Sequence, residues 1–110
     1  MFKINKKADF NCTFLNGYIC ASYEELVTLF GKPNNGDGYK TSGEWYFTDD
    51  NGKTSYTLYD WKSTNKYDKD MPSVKKFRLL KNQIFNIGGR GNSEYFQYWL
   101  CLQLSELRNK

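Results

Sequence analysis

Histidine is absent from this chain of 110 residues, and proline and cysteine are scarce, with two and three residues respectively. Because histidine is the commonest general acid–base group, its absence makes an enzyme the least favoured class of function. The cysteines contain no Cys-x-x-Cys pair, which argues against a zinc site with the usual nitrogen and sulfur ligands. We therefore expect neither a metal ion nor a cofactor, and a protein that acts by binding.

Cys12, Cys20 and Cys101 are an odd number of cysteines, which does not suit a disulfide framework. The first ten residues carry three lysines but no apolar core follows them, so we expect no signal peptide. No apolar run approaches the length of a transmembrane helix either. These features predict a cytoplasmic protein without a membrane partner, whose reduced cysteines behave as small hydrophobic residues.

Aromatic residues are abundant by contrast, since nine Tyr, eight Phe and three Trp make up 18% of the chain. Each can bury about 150–250 Å², so residues 1–110 suffice for a single domain with a sizeable core. The net charge is +4, and the positive charges are scattered apart from one cluster, which contains Lys75, Lys76, Arg78 and Lys81. Mild basicity suits a phosphate-bearing ligand or an acidic protein partner, whereas a dedicated duplex binder usually has a denser basic face.

A first helix is predicted after Ser22, because Ser22-Tyr23-Glu24-Glu25 is a capping box. The apolar residues that follow at helical spacing are Tyr23, Leu26, Val27 and Phe30, and Gly31 with Pro33 ends the helix.

A second helix is predicted over Ser93–Leu107. Its apolar stripe contains Phe96, Trp99, Leu100, Leu104 and Leu107, widened by Tyr95, Tyr98 and Leu102. A stripe this wide is either deeply buried or partly committed to another subunit, so a homodimer through residues 93–107 is one prediction.

The clearest strand signal is a hairpin around Asn51-Gly52, between Glu44–Thr48 and Thr54–Tyr59. A two-residue type I′ turn would pair Asp50 with Lys53. On one face it would place Trp45, Phe47, Tyr56 and Leu58, and on the other Glu44, Tyr46, Thr48, Ser55, Thr57 and Tyr59. The first face is expected to pack against a helix, and the second can meet water or a partner.

Further strands are predicted over residues 10–21 (one strand, or two joined by a turn at Asn16-Gly17), over Val74–Leu80 and over Gln83–Ile87. The polar residues 32–43 and 63–73 are expected to form loops. The predicted fold class is therefore α+β, with a single antiparallel sheet of about five strands and two helices packed on one face.

The first candidate site is the segment Ile87–Ser93, which joins a predicted strand to the second helix. Backbone N–H groups of Gly88, Gly89 and Gly91 can approach an anion closely, with the Arg90 guanidinium and a capping Ser93 hydroxyl as further partners. The segment is neither a Walker A motif nor a dinucleotide fingerprint. The structural alternative is a tight turn in which glycine permits close packing.

The second candidate site is aromatic. Tyr59 and Trp61, together with Tyr46, can stack on a nucleobase if the second sheet face is open, and Lys62 can then meet its phosphate. The alternative is that these rings belong to a core on that face. The basic cluster has two interpretations: it contacts nucleic acid, or it belongs to a solvated edge strand that its lysines protect from pairing.

Four short motifs carry a resemblance: Phe30-Gly31-Lys32-Pro33, Glu44-Trp45, Tyr59-Asp60-Trp61-Lys62 and Ile87-Gly88-Gly89. Over roughly Tyr18 to Leu107 the chain resembles a family of small proteins from phages and large DNA viruses. That family commonly carries Trp-His before the Ile-Gly-Gly turn, where this chain has Phe85-Asn86. The resemblance implies a viral setting and, by analogy, an accessory protein that acts by occupying a target.

The prediction is a non-catalytic viral accessory protein of the anti-defence type, which sequesters an anionic nucleotide-like ligand in the host cytoplasm. The predicted binding residues are Gly88, Gly89, Arg90, Gly91, Ser93, Tyr59, Trp61 and Lys62. The alternatives are a protein–protein inhibitor of a host enzyme or defence complex, and a nucleic-acid-binding module.

Overall fold

Five antiparallel strands, a sixth strand of two residues and two helices make up most of what the structure describes, a computed structural model covering residues 2–5, 14–35, 43–50, 52, 54–60, 78, 83–89 and 92–110. The strands are β1 (Phe2–Ile4), β2 (Phe14–Ala21), β3 (Asn34–Asn35), β4 (Gly43–Asp49), β5 (Ser55–Tyr59) and β6 (Gln83–Gly89); the helices are α1 (Tyr23–Phe30) and α2 (Glu94–Arg108). The sheet order is β1-β4-β5-β6-β2, and the two-residue β3 pairs with β4. The α+β prediction is confirmed.

The β4–β5 hairpin has the register that the sequence predicts. Trp45 lies opposite Leu58 and Phe47 lies opposite Tyr56. All four side chains are buried, because this face of the sheet meets the helices. The turn type depends on Asn51 and Lys53, which lie outside the described residues.

Both helices pack on the same face of the sheet, since their buried residues join the strands' buried residues in one hydrophobic cluster. The helices contribute Leu26 from α1 and Phe96, Leu100 and Leu104 from α2. At the centre, the rings of Tyr56 and Phe96 stack with centroids 4.6 Å apart. In the described part of the chain, neither helix has the length and apolar character needed to cross a membrane.

Helix α1 begins at the predicted capping box. The Glu25 N–H donates to Ser22 Oγ at 3.0 Å, and the Ser22 N–H donates to Glu25 Oε1 at 2.9 Å. Gly31 ends the helix with a positive φ of 82°, and its N–H donates to the Val27 carbonyl. Each end of α1 is thus set by residues adjacent to it in the sequence.

Strands β1 and β2 differ from the sequence prediction. No strand was predicted at Phe2–Ile4, yet Phe2 packs edge-on against Tyr56 and Phe96. Strand β2 is one continuous strand, so the alternative with a turn at Asn16-Gly17 is wrong. Instead the register with β6 shifts between Leu15 and Gly17, which is a β-bulge.

The predicted strand over Val74–Leu80 also needs correction where the structure describes it. Arg78 is helical rather than extended, and its guanidinium lies 4.6 Å from the centre of the Tyr23 ring. Lys75, Lys76 and Lys81 lie outside the described residues, as does the predicted loop over 63–73. Within the other predicted loop, Asn34–Asn35 forms strand β3.

Candidate functional site

Strand β6 continues through Gly88 and Gly89, two residues beyond its predicted end. Gly88 lies between Leu15 on β2 and Thr57 on β5, and Gly89 pairs in the same way with the neighbouring residues of both strands. Both glycines therefore belong to the sheet rather than to a turn. Arg90 and Gly91, the next predicted site residues, lie outside the described residues.

Gly89 packs directly against the start of α2. A Cβ at this position would lie 2.6 Å from Ser93 Oγ and 2.9 Å from Asn16 Nδ2, closer than Cβ atoms come to other heavy atoms in real structures. The Ser93 hydroxyl accepts a hydrogen bond from Asn16 Nδ2 at 2.8 Å, and the Glu94 N–H donates to Asn92 Oδ1 instead. Ser93 is thus not the capping hydroxyl that was predicted, and Gly89 has a close-packing role.

Tyr59 lies on the opposite face of the sheet from Gly89 and Ser93. Directly paired residues share a face, so the register places two rows across β4, β5, β6 and β2. The first row is Glu44, Tyr59, Asn86 and Tyr18, and the second is Tyr46, Thr57, Gly88 and Leu15. We call these eight residues the tyrosine face.

The predicted site residues therefore form two groups rather than one. Tyr59 and Gly88 share the tyrosine face in adjacent rows, whereas Gly89 and Ser93 face the helices. Tyr59 is opposite Asn86, three residues from Gly89, which corresponds to about 10 Å along the strand. Trp61 and Lys62 lie outside the described residues.

On the second sheet face, the residues at the centre are buried or half-buried, and large apolar residues near β2 are exposed. Thr48, Ser55 and Thr57 are buried, and Tyr46 and Tyr59 are half-buried. On the β2 side, three large apolar residues are exposed: Leu15 by 65%, Tyr18 by 58% and Ile84 by 54%. We call these three residues the apolar patch.

A short hydrogen bond fixes one of the half-buried tyrosines. The Tyr46 hydroxyl donates to Glu44 Oε1 at 2.6 Å. Burial, and then this hydrogen bond, raise the pKa of Tyr46 to about 12. Burial, followed by the charge of Glu44, also raises the pKa of Tyr59. Both phenols are therefore neutral near pH 7.

Asp60, the residue that follows β5, is a buried carboxylate. Its Oδ1 accepts a hydrogen bond from the Gly43 N–H at 3.0 Å, and the residue is 1% exposed. This bond ties the end of β5 to the start of β4 and so gives Asp60 a structural role. Among the described residues, no three His, Cys, Asp or Glu side chains group closely enough to hold a metal ion.

The two described cysteines were expected to behave as small hydrophobic residues, and they are free but not buried. Cys20 on β2 and Cys101 on α2 are both exposed. Nor did the sequence reveal how α2 meets the edge of β2, where Gln97 Nε2 donates to the Tyr18 carbonyl at 3.0 Å. The two residues are 79 positions apart, and neither is part of a local motif.

Asn86 and Tyr18 complete the row that contains Tyr59, and sequence reasoning assigned neither of them to a site. Alternation along β6 shows which residues share a face with Asn86. It does not show that β6 pairs with β5, because no local sequence signal encodes that pairing. For Tyr18, the bulge at Leu15/Gly17 interrupts the alternation on which such a count depends.

A scan against protein-family models and a search of curated proteins find no match to this chain.

Proposed function

We propose that this protein is a non-catalytic binding protein that sequesters an anionic nucleotide-like ligand, with the base held at Tyr46 and Tyr59. The observation that carries the proposal is the placement of these two half-buried rings. Thr57 lies directly opposite Tyr46, so Tyr59 is its diagonal neighbour across the β4–β5 pair. Diagonal neighbours are about 7–8 Å apart, which is about twice the 3.5–4 Å contact distance between stacked carbon atoms. A planar base can therefore touch both rings.

The charges around the two rings determine how such a ligand would lie. Glu44 lies directly opposite Tyr59 and two residues before Tyr46, and its charge repels a phosphate, so the proposed ligand points its phosphate away from β4. Trp61 and Lys62 follow directly after Tyr59-Asp60 in the chain. In this proposal Trp61 extends the stack and Lys62 meets the phosphate. We assign Arg90 and Gly91, which follow Gly89 in the chain, to a separate proposed anion site.

A thermal-melt screen against nucleosides and mono-, di- and cyclic nucleotides tests this proposal. A ligand at about 100 times its Kd adds roughly 2.7 kcal/mol, which corresponds to a rise in Tm of about 10 °C or more. We expect Tyr59→Leu to abolish this shift and Lys62→Ala to reduce it for nucleotides but not for nucleosides. Tyr98→Leu, at an exposed tyrosine on α2, is the matched control and should retain the full shift.

Two results would contradict the assignment. A panel without any shift would remove the nucleotide proposal as a whole. A shift that survives Tyr59→Leu but disappears with Arg90→Ala would move the site to the segment after β6.

A protein partner is the second candidate, because the apolar patch exposes Leu15, Tyr18 and Ile84 on neighbouring strands. Exposed apolar surface of this kind marks interaction sites when it is contiguous. In the viral setting that the resemblance implies, the partner would be a host enzyme or defence complex. Binding that Tyr18→Lys abolishes and Tyr95→Lys leaves intact would support this candidate. A nucleic-acid partner would instead give a steep salt dependence.

A further inference from the structure

Five exposed residues follow one line along helix α2 and the residue after it. They recur at spacings of three and four residues in turn: Tyr95, Tyr98, Leu102, Ser105 and Asn109. An α-helix has 3.6 residues per turn, so residues at these spacings lie on one side of it. We call these five residues the outer seam. Contact residues of two paired helices in a coiled coil have the same spacing.

Two tyrosine rings supply most of the exposed area of the outer seam. Tyr95 is exposed by 82% and Tyr98 by 65%. A fully covered aromatic side chain buries about 150–250 Å², so these fractions amount to on the order of 300 Å² in each chain. Tyrosine is enriched at protein interfaces, because its ring packs while its hydroxyl keeps a polar partner. The outer seam therefore has the chemistry of a contact surface.

The outer seam has large side chains at one end and small ones at the other. Tyr95 and Tyr98 come first along the helix, Leu102 is in the middle, and Ser105 and Asn109 come last. A second α2 helix in the same direction sets tyrosine against tyrosine and leaves a gap between the small residues. In the opposite direction, each ring lies against a small side chain without such a gap. Size therefore favours an antiparallel second copy.

The charges beside the outer seam favour the same orientation. Glu94 and Arg108 are the first and last residues of α2, and the distance between them along the chain is close to four full turns, so they lie on one flank of the seam. A parallel pair sets each charge against its own kind. An antiparallel pair sets each Glu94 against the partner's Arg108, and it also opposes the two helix dipoles.

Arg108 can take part in this contact although it is bonded within its own chain. Among the described residues, its guanidinium bonds Glu25 and the Cys20 carbonyl through Nε and Nη2. Its side chain is 48% exposed. A guanidinium has five N–H donors, so Nη1 can meet a second carboxylate.

We propose that two copies of this chain associate through the outer seam, with their α2 helices antiparallel. The two-fold axis passes near Leu102, which packs against the same residue of the partner. Each Tyr98 then lies against the partner's Ser105, and each Tyr95 against the partner's Asn109. One surface serves both copies, because the two-fold rotation makes it complementary to itself.

The area of the outer seam sets the strength of this dimer. The four rings together cover on the order of 600 Å², whereas stable interfaces bury about 1,200–2,000 Å². The dimer therefore belongs to the weak class, with a Kd in the range from about 1 μM to 1 mM. It does not depend on the proposed nucleotide, since the outer seam lies on α2 and the tyrosine face lies on the sheet.

Sedimentation equilibrium of the full chain, at concentrations up to about 1 mM, measures this Kd. We expect Tyr98→Lys to weaken the dimer by on the order of tenfold or more, because it places a charge in the middle of the contact. Tyr18→Lys is the matched control, since it makes the same change at an exposed tyrosine of the sheet, and it should leave the Kd unchanged.

Cross-linking tests the orientation. Two single-cysteine proteins, Tyr95→Cys and Asn109→Cys, are made in a background with Cys12→Ser, Cys20→Ser and Cys101→Ser. They are mixed in equal amounts and equilibrated with a glutathione buffer, and the disulfide-linked dimers are identified by mass spectrometry. We expect the dimer that joins the two different variants to exceed its proportion in random pairing.

Three results would overturn the proposal. The first is a chain that stays monomeric over the whole concentration range. The second is a dimer whose Kd Tyr98→Lys leaves unchanged, which would place the contact elsewhere. The third is a preference of each single-cysteine variant for its own kind, which would make the helices parallel.

Discussion

Glu25 serves two structures at once. Its carboxylate accepts a hydrogen bond from the Ser22 N–H and so completes the cap of α1. The same carboxylate binds the guanidinium of Arg108, the last residue of α2. The two roles can be separated experimentally, because glutamine also completes a capping box but carries no charge.

The first prediction concerns Glu25→Gln. The hydrogen bond from Arg108 is the main cause that lowers the pKa of Glu25 from 4.5 to about 2, against an opposing effect of burial. A lowered pKa stabilises the folded state above the ordinary pKa, and this stability is lost as the pH falls from about 4.5 to 2. We expect the variant to lower the free energy of unfolding by about 1 kcal/mol at pH 7, since the half-exposed Arg108 is screened by solvent. Near pH 2 the variant and the parent protein should have the same free energy of unfolding.

Urea unfolding at both pH values measures this difference. Glu24→Gln is the matched control, because Glu24 is exposed in the same helical turn, and it should change little at either pH. An equal loss for Glu25→Gln at pH 7 and near pH 2 would show that the loss comes from packing rather than charge.

At the scale of elements, the edge of the sheet at β2 is protected by side chains instead of another strand. In the described part of the chain, β2 is the last strand in the sheet order. The carbonyls of Tyr18 and Cys20 accept hydrogen bonds from Gln97 and Arg108. Gly17 leaves the space this requires, since a Cβ there would lie 2.9 Å from Gln97 Oε1. Unprotected edges pair with other chains, so this arrangement opposes aggregation.

The second prediction is that the double variant Gln97→Ala/Arg108→Ala self-associates. The two carbonyls lose their donors, and the edge of β2 can then accept a strand from another molecule. Sedimentation velocity should show dimers or larger species at concentrations where the parent protein does not form them. Gln103→Ala, on another side of the same helix, should sediment like the parent protein. If the double variant does so too, the hydrogen bonds do not protect the edge.

The elements that the sequence predicts are those whose signals are local. The capping box at Ser22, the glycine at the end of α1 and the alternation around Asn51-Gly52 each lie within a few residues of the element they define. Strand β1 and the last two residues of β6 are different, because three residues or a pair of glycines carry no strand signal of their own. They become strands by pairing with distant residues, as Phe2 does with Asp49 and Gly89 with Tyr56.

The same reason limits prediction of the candidate site. The alternation of the hairpin correctly placed Tyr46 and Tyr59 on one face, whereas the loop-like composition around Gly88 and Gly89 hid the fact that they lie on opposite faces. The positions of Arg90, Gly91, Trp61 and Lys62 in a ligand site stay predictions.

At the scale of the whole molecule, the ionisation of three tyrosines of the sheet is expected to lower the free energy of unfolding at alkaline pH. The pKa values of Tyr46, Tyr56 and Tyr59 are all raised, in each case mainly by burial. A raised pKa in the folded state means that the unfolded chain loses its protons first, so stability falls as the pH rises above 10 towards 12.

The third prediction compares Tyr46→Phe with the parent protein between pH 8 and pH 12. At pH 8 the variant should be less stable, because it lacks the hydrogen bond to Glu44. The difference should narrow as the pH rises from 10 to 12, because only the parent protein has a buried hydroxyl to ionise. Urea unfolding followed by circular dichroism at each pH measures this difference in the free energy of unfolding. Tyr95→Phe, at an exposed ring, is the control. A difference that stays constant would contradict the pKa of Tyr46.

The outer side of α2 stays open to a partner. Tyr95, Tyr98 and Leu102 are exposed along it, while Phe96, Leu100 and Leu104 are buried in the core. The wide stripe thus divides into a core-facing part and an outward part. The homodimer through residues 93–107 stays a prediction that molecular mass in solution can test.

The place of β2 in the sheet also matters while the chain is being synthesised. Within the sheet this strand pairs with β6, which the ribosome makes much later, so β2 leaves the ribosome long before it can be incorporated. At about 5–20 residues per second the delay is on the order of several seconds. During that time Leu15, Tyr18 and Ile19 have no sheet to join. A nascent chain halted before β6 should therefore be held by chaperones, and one that has passed α2 should be released.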